Sequence, residues 1–369
     1  MIYLDNAATS FPKPKNVIRE VERCITRYCG NPGRGSHKLA LAAADRIFDT
    51  RVAVSEFLGT EKCENVIFTA NATHALNLVI KGLITEKCHC ITSDLEHNSV
   101  IRPLYKMLDK YDGTLSVFNS DFPVTDAIEP LIQSDTKIII STLCSNVTGK
   151  IINLSELSAI AKKHGLKLVL DASQYLGHAK INLEGTYYTA ICSAGHKSLF
   201  GIQGSAFAAI NEDELFDTLM EGGSGVDSFS RVMPILMPER YEAGTLSTPA
   251  IVSLGAGIDY LNSIGMTEVE HHIKKMTDLL YEVLVGVPRL TLYGAENGIA
   301  SFNLYNLRSS YVSDVLDKRG ILTRPGFHCA PLIHQKLGTN EYGAVRVSLS
   351  YFNSDKDIYE LGRALKDLC

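Results

Sequence analysis

Short apolar runs alternate with amphipathic helical segments along most of the chain, and this alternation limits the fold more than any other feature. Ile138–Thr142 and Lys167–Leu170 have the apolar, β-branched character of buried strands. Between them, residues 155–164 have a helical pattern, with Ser155 as the expected N-cap and Gly165 as the left-handed stop. Strands separated by helices predict an α/β fold with a mostly parallel sheet.

The chain of 369 residues is longer than one ordinary domain and suggests roughly two. A second, smaller α+β unit is expected to begin near residue 255. Before it, the stretch 221–250 is rich in Gly, Ser and Pro. This composition favours a long functional loop rather than a linker.

Composition and charge exclude several classes of protein. Hydrophobic residues make up 45% of the chain and charged residues 21%, which is typical of a globular protein. The net charge of 36 − 41 = −5 provides no basic field for nucleic acid or anionic lipid. No apolar run reaches the ~18 to 20 residues of a membrane span, and the N-terminus lacks the pattern of a signal peptide. We therefore expect a cytoplasmic protein that binds neither nucleic acid nor membrane.

Nine cysteines are scattered through the chain. An odd number without an export signal or a C-x-x-C pair does not suggest a disulfide framework or a zinc ribbon. Cys88 and Cys90 form the tightest pair and stand alone, so no metal site is expected. Most of the cysteines are expected to be small buried hydrophobic residues in a reducing compartment.

The motifs of dinucleotide-binding proteins, P-loop proteins, zinc proteases and α/β-hydrolases are absent. Lys197, however, follows the strand-like run Tyr187–Cys192 and is flanked by Gly195 and Gly201. A lysine in this position could have a lowered pKa and form a Schiff base. Spacing alone leaves open the alternative of a surface loop lysine.

Three further polar residues follow predicted strands, and each has two interpretations. Asp171 could pair with a protonated ring nitrogen at the carboxyl edge of the sheet, or cap a helix. Thr73, at the start of a predicted helix at 73–83, could bind phosphate or act as an ordinary N-cap. His97, after the strand Cys90–Ser93, could stack on an aromatic ring or be structural.

Cys329 is the one cysteine whose neighbours suggest chemistry. It lies in a Gly/Pro turn that starts at Arg324, directly after His328, and Arg346 follows further on. Exposure and nearby positive charge depress the pKa of a thiol and favour a reactive thiolate. A buried structural cysteine is the alternative.

In this order, the motifs resemble those of the class V aminotransferase family of fold-type I pyridoxal-phosphate (PLP) enzymes. They are most similar to the cysteine desulfurases and selenocysteine lyases with a short active-site cysteine loop. The resemblance extends from the motif at 3–8 to the motif at 346–353. It implies a large PLP-binding domain at 15–252 with a mostly parallel seven-stranded sheet. It also implies a smaller α+β domain, formed by 1–14 and 253–369, that carries the cysteine loop.

The resemblance assigns catalytic roles to some of these positions. Lys197 would form the Schiff base with PLP and act as general base, and Cys329 would accept sulfur as a persulfide. His97 would stack on the ring, Asp171 would pair with the ring nitrogen, and Gln174 would bond the ring oxygen.

Further positions would hold the phosphate and the substrate. Thr73, with the backbone of Ala72, would hold the phosphate, and His196 would lie beside the lysine. Thr245 would reach the phosphate of the partner subunit, which implies a homodimer with shared sites. Asn146 would contact both cofactor and substrate. The residues expected to bind or surround the substrate are Asn146, Arg346, Arg324 and His37.

The implied reaction converts L-cysteine to L-alanine, and sulfur passes through Cys329 to a sulfur-acceptor protein. Two alternatives remain open: a selenocysteine lyase acting on L-selenocysteine, and a sulfur-carrier or scaffold subunit without turnover.

Three positions depart from the family pattern. Ala194 stands three residues before the lysine, where a hydroxyl residue is usual, with Ser193 next to it. His74 stands where an acidic residue is common, and Phe327 replaces one of two histidines often found before the cysteine. The change at Phe327 bears on leaving-group protonation and on the choice between sulfur and selenium substrates.

Overall fold

The computed structural model describes residues 1–33, 35–60, 62–211 and 215–369. The α-helices are α1 (Lys15–Arg23), α2 (Lys38–Leu58), α3 (Ala72–Leu83), α4 (Asn98–Tyr111), α5 (Val124–Ile128), α6 (Leu154–His164), α7 (Thr248–Ile264), α8 (Met266–Val285), α9 (Ser309–Lys318), α10 (Pro331–Lys336) and α11 (Asp355–Lys366). The strands are β1 (Ile2–Tyr3), β2 (Val66–Thr69), β3 (His89–Ser93), β4 (Thr114–Phe118), β5 (Thr136–Thr142), β6 (Lys167–Asp171), β7 (Ala190–Ala194), β8 (Ala206–Ile210), β9 (Leu290–Glu296), β10 (Ile299–Leu304), β11 (Ile321–Leu322), β12 (Arg324–Gly326) and β13 (Ala344–Ser348). A π-helical turn at Cys24–Tyr28 continues α1, and 3-10 turns occupy Cys63–Asn65 and Glu129–Leu131.

The central sheet has seven strands in the order β2-β8-β7-β6-β5-β3-β4. Strand β8 runs antiparallel to both of its neighbours, and the other pairs are parallel. This arrangement confirms the predicted α/β class with a mostly parallel seven-stranded sheet. Because helices cover both faces, strands β2, β6, β7 and β8 are buried almost throughout, whereas the edge strand β4 is partly exposed. In β6, Leu168 and Leu170 pack on one side of the sheet, and Val169 packs on the other.

A second sheet, of order β12-β13-β10-β9, is entirely antiparallel. Its core joins Phe302 to Leu280 of α8 and Leu361 of α11. Strand β1 pairs with β11, so the N-terminus belongs to this smaller α+β unit. The boundaries at 14/15 and 252/253 remain a prediction, since α7 runs unbroken across residue 252 and packs on α1 and α2.

Two local predictions need correction. Helix α6 begins at Leu154, and its N-cap is Asn153 rather than Ser155, because Asn153 Oδ1 accepts from the Glu156 N–H at 3.2 Å. Gly165 is confirmed as the left-handed stop, with φ 63°. Strand β7 is shifted by about two to three residues from the expected Tyr187–Cys192, since its pairing with β6 starts at Ala190.

Residues 215–247 contain neither helix nor strand, as expected for the Gly- and Pro-rich stretch, and α7 ends this loop at Thr248. Within the described residues, no helix has the combination of length and apolar character that a bilayer span requires.

Candidate active site

A cavity of about 270 Å³ opens at the carboxyl ends of β5, β6 and β7. Polar ligand-binding groups are expected at this edge of a parallel sheet. The cavity brings together most of the residues predicted for the site: Ala72, Thr73, His97, Asn146, Asp171, Gln174, His196, Lys197, Arg324, Cys329 and Arg346.

Lys197 lies in a tight turn just beyond β7. The turn needs glycine at residue 195, because a Cβ there would lie 2.5 Å from Ser205 Oγ. Among the described residues, Lys197 Nζ has no hydrogen-bond partner. Burial lowers the pKa of Lys197 from its ordinary value of 10.5 to about 8; nearby Asp171 opposes this shift and Arg346 adds to it. A substantial fraction of this amine is therefore uncharged near neutral pH and able to act as a nucleophile or base.

Capture of PLP by the cofactor-free protein is expected to follow this lowered pKa. Only the uncharged amine attacks an aldehyde, so the rate should rise about tenfold per pH unit below pH 8 and level off above it. Stopped-flow absorbance with excess PLP measures the rate. N-acetyl-lysine amide serves as control, because its rate should keep rising towards about pH 10. A protein rate that rises in parallel with this control would contradict the lowered pKa.

His97 is held as a neutral imidazole beside the lysine. It is the N-cap of α4, and its Nδ1 accepts from the Ser99 N–H at 3.0 Å. Burial, followed by the charge of Lys197, lowers the pKa of His97 to about 4. The hydrogen of this neutral ring is consequently on Nε2, and the ring can stack on an aromatic cofactor.

The N-terminus of α3 forms one wall of the cavity. Asn71, and not Thr73, is its N-cap: Asn71 Oδ1 accepts from the His74 N–H at 2.9 Å. The backbone N–H groups of Ala72 and Thr73 have no acceptor within the part of the chain that the structure describes, so they are available to bind an anion, as is common at helix N-termini. Thr73 Oγ1 lies 2.7 Å from Ser99 Oγ, which adds a second hydroxyl to this wall.

Two departures from the family pattern, at Ala194 and at His74, can be placed relative to the cavity. Ala194 lines the cavity, whereas Ser193 does not, because neighbouring strand residues point to opposite faces. Ser193 therefore does not replace the missing hydroxyl. His74, on α3, is also absent from the cavity lining.

Asp171 is the last residue of β6, and Gln174 follows three residues later; both line the cavity. Asp171 is buried, and its Oδ1 accepts from the Ser173 N–H at 2.9 Å. Gln174 Nε2 donates to the carbonyl of Ala7 at 2.9 Å. The N-terminal segment also contacts the lysine turn, where Thr9 Oγ1 lies 3.1 Å from His196 Nδ1.

Arg346 provides the buried positive charge of the site. It donates from Nη1 to the carbonyl of Asn146 at 3.0 Å and from Nη2 to Asp5 Oδ1 at 2.9 Å. Its buried Nε–H has no partner among the described residues. Arg324, opposite Arg346 across β12 and β13, is half exposed and lies 3.5 Å from Asp5 Oδ2. An anion at the unpartnered Nε edge would satisfy Arg346.

Cys329 is exposed, in a turn whose backbone is anchored on both sides. The carbonyl of Cys329 accepts from the Asn98 N–H at 2.7 Å, and that of His328 accepts from Asn146 Nδ2 at 2.7 Å. Asn98 is the first residue of α4, directly after His97. The cysteine loop of the smaller unit is thus attached to the first residue of α4, next to His97, and to Asn146.

Thr245 and His37 are not among the residues that line this cavity. Thr245 borders a second cavity of about 390 Å³, where its Oγ1 accepts from Asn31 Nδ2 at 3.5 Å. His37 is the exposed N-cap of α2. The predicted roles of both residues remain predictions, and Arg34, in the same motif as His37, lies outside the described residues.

Sequence reasoning missed several residues of the site. Asp5, Ser99 and Ser173 lie next to predicted positions, but only their contacts reveal their function. Cys144 also lines the cavity, yet it is buried, and burial raises the pKa of its thiol to about 12. The expectation of buried cysteines holds for Cys24, Cys88, Cys90, Cys144 and Cys192, but not for Cys29, Cys63 and Cys369.

These groups fit a flat aromatic ring that carries a phosphate and an aldehyde. The free N–H groups of α3 suit the phosphate, the neutral His97 suits the ring face, and Lys197 suits the aldehyde. Two buried atoms without partners, Asn146 Oδ1 and Arg346 Nε, remain for further polar contacts.

Comparison with known proteins gives consistent results. The family model for class V aminotransferases matches residues 2–361. A probable cysteine desulfurase from Methanothermobacter thermautotrophicus is 31% identical, over 100% of this chain and 94% of the relative. A probable cysteine desulfurase from Pyrococcus abyssi is 30% identical, over 100% of this chain and 94% of that protein. An apo structure of a cysteine desulfurase from Thermococcus onnurineus superposes with a TM-score of 0.87 at 29% identity, covering 100% of this chain and 94% of that one. The match confirms the predicted fold type.

Proposed function

The chain belongs to the class V aminotransferase family, and we propose that it is a PLP-dependent cysteine desulfurase. The observation that carries this proposal is one cavity with an unpartnered lysine of lowered pKa and an exposed cysteine. The substrate is L-cysteine, and the products are L-alanine and a persulfide on Cys329.

The proposed cofactor site uses the groups described above. Ala72 and Thr73 hold the phosphate, His97 covers the ring, and Gln174 donates to the ring oxygen. Asp171 keeps the ring nitrogen protonated. When bound, PLP supplies an electron sink that makes the substrate Cα proton acidic.

Lys197 moves the proton at the substrate Cα. Its pKa of about 8 is close to the pH at which a general base works best. Its ammonium form can return a proton as the product forms.

Arg346 binds the substrate carboxylate through its free Nε edge. Asn146 assists through the second hydrogen of its Nδ2, which already donates to the His328 carbonyl, whereas its Oδ1 can only accept and suits the substrate amine. Asp5 and the Asn146 carbonyl fix the orientation of the guanidinium before substrate arrives. This preorganisation places the substrate with its sulfur towards the cysteine loop.

Arg346→Lys is expected to raise KM for L-cysteine by roughly ten- to a hundredfold and to change kcat less. Lysine keeps the charge, and with it the contact to Asp5, but loses the planar fork that binds a carboxylate at two points. Alanine release measured over a range of L-cysteine concentrations gives both constants. Arg324→Lys is the matched control and should change KM less than threefold, because Arg324 is half exposed. Equal increases in KM for L-cysteine in the Arg346→Lys and Arg324→Lys variants would argue against carboxylate binding by Arg346.

Cys329 accepts the sulfur. Its thiolate forms a bond to the substrate sulfur while the Cβ–S bond of the substrate breaks. The electron pair of the broken bond stays with the three-carbon product, which takes up protons to become L-alanine. Sulfur is thus held as a persulfide on an exposed loop, from which an acceptor protein can remove it.

A homodimer would complete the site with Thr245 and His37 from the second copy. The loop 215–247 supports this proposal, because it exposes a run of apolar side chains of the kind that interfaces cover: Phe229, Val232, Ile235 and Leu236. We further propose a sulfur-acceptor protein as partner and the cytoplasm as compartment; free thiols at Cys29, Cys329 and Cys369 suit a reducing environment.

The proposed function is tested with the purified protein loaded with PLP. Alanine release is measured from L-cysteine and from L-selenocysteine, and mass spectrometry examines the Cys329 peptide for an added sulfur. Cysteine-dependent alanine release with a persulfide on Cys329 is the expected result. Turnover of selenocysteine alone would favour a lyase, and absence of turnover with both substrates would favour a carrier subunit.

A further inference from the structure

Three buried polar side chains behind Cys329 form a hydrogen-bonded row that the proposed reaction does not use. His328 Nε2 lies 3.1 Å from the carbonyl oxygen of Arg324, and His328 Nδ1 lies 3.3 Å from His334 Nε2. His334 Nδ1 lies 2.7 Å from Thr339 Oγ1. His328, His334 and Thr339 are each less than a tenth exposed.

The row has a fixed direction, which its Arg324 end determines. A carbonyl oxygen can only accept, so His328 Nε2 carries the hydrogen. In a neutral ring, His328 Nδ1 is then an acceptor, and His334 Nε2 must donate to it. By the same reasoning, His334 Nδ1 accepts from the Thr339 hydroxyl.

The opposite direction is excluded by burial. It would place two acceptors, His328 Nε2 and the Arg324 carbonyl, against each other, or require a buried imidazolium. Burial, followed by the charge of Arg346, lowers the pKa of His328 to about 3, and burial also lowers the pKa of His334. Thr339 Oγ1 also lies 3.4 Å from the carbonyl of His334, but the ring nitrogen is nearer.

The backbone of His328 and Cys329 has an unfavourable conformation that surrounding contacts must stabilise. His328 and Cys329 both adopt left-handed conformations, with φ of 51° and 56°. This conformation is strained for a non-glycine residue and persists only where surrounding contacts impose it. Asn98 and Asn146 hold the two carbonyl groups of this turn, and the row holds the His328 ring.

We propose that His334 and Thr339 are positioning residues, which act through the His328 ring to keep the Cys329 thiol in its sulfur-accepting geometry. The inference rests on the proposed function. Phe327 contacts the same row: its ring meets His334 edge-on, with centroids 5.7 Å apart, and is itself half exposed. Phe327 stands where the family often has a second histidine before the cysteine, and in this chain the second imidazole beside His328 comes from His334 of α10.

The test compares Thr339→Val with Thr339→Ser in the PLP-loaded enzyme. Valine has the shape of threonine but cannot donate, so His334 Nδ1 becomes a buried acceptor without a partner and the His334 ring loses its anchor; serine retains the donor. Thr339→Val should lower kcat for alanine release, and the single-turnover rate of Cys329 persulfide formation, by roughly tenfold. KM for L-cysteine should stay within about twofold, and Thr339→Ser should recover most of the rate.

A second readout does not depend on turnover. The rate of Cys329 alkylation by iodoacetamide, followed by mass spectrometry, should change in Thr339→Val and recover in Thr339→Ser. If Thr339→Val fails to fold, His334→Gln is measured in the same way. Wild-type rates in Thr339→Val, or equal losses in the valine and serine variants, would overturn the inference. If the wild type itself releases no alanine, the proposed function fails, while the alkylation rates still decide whether the row positions the thiol.

Discussion

Cys329→Ala is expected to lower turnover of L-cysteine by at least about a thousandfold. The covalent sulfur acceptor is lost, and Cys144, the other thiol that lines the cavity, cannot replace it. Burial raises the pKa of Cys144 to about 12, and its Sγ is 3.2 Å from the carbonyl of Gly149, to which it can donate. Alanine release under saturating L-cysteine measures the effect.

The control for this variant is Cys369→Ala, which removes another exposed thiol far along the chain. It should keep wild-type activity. The same measurement with L-selenocysteine separates the two chemistries, because selenide leaves more easily than sulfide and needs less help from a thiolate. Full activity of Cys329→Ala on L-cysteine would refute sulfur transfer through this residue.

Lys197→Ala is expected to abolish activity, with a loss of about ten-thousandfold or more. The substitution removes both the covalent attachment of the cofactor and the base at the substrate Cα, and a general base alone contributes about 10² to 10⁴. Borohydride reduction followed by mass spectrometry provides a second readout. The wild-type chain should gain the mass of the reduced cofactor at Lys197, and the variant should not.

Lys13→Met is the matched control for this lysine. Lys13 is also near the turn, and burial lowers its pKa to about 8 as well. Its Nζ, however, already donates to Ser10 Oγ at 2.7 Å and to the His196 carbonyl at 2.8 Å. The control should lose less than about tenfold in activity and still attach the cofactor. Cofactor attachment that persists in Lys197→Ala would disprove the assignment of Lys197 as the residue that binds PLP covalently.

Much of the fold could be predicted because its signals are local. Apolar runs of strand length and helices with clear stops specify the α/β order, and in a parallel sheet the carboxyl ends of strands share one edge. Asp171 and Lys197, each at or just beyond a strand end, were therefore expected to converge, and both line the cavity. The N-cap of α6 was misassigned, since Asn153 and Ser155 are both good caps and only the hydrogen bond distinguishes them.

The site could be predicted only as a set of residue types. Asp5 holds Arg346, and Ser99 joins His97 to Thr73, through contacts that have no periodic signal in the chain. The positions of Thr245 and His37 show the same limit. The role expected for Thr245 depends on a second copy of the chain, and His37, expected to line the site, does not line this cavity.

The sequence by itself determined the α/β order, the family and the residue types of the reaction, because apolar periodicity and short motifs are properties of neighbouring residues. Only the tertiary structure decided that Cys329 and Lys197 line one cavity. The cysteine loop is fixed by hydrogen bonds from Asn98 and Asn146, and the row from Thr339 to His328 is fixed by burial. The hydrogen bonds from Asn98 and Asn146 join segments that are far apart in the chain. Which group donates and which accepts in the row depends on the burial of its side chains, because a buried imidazole stays neutral.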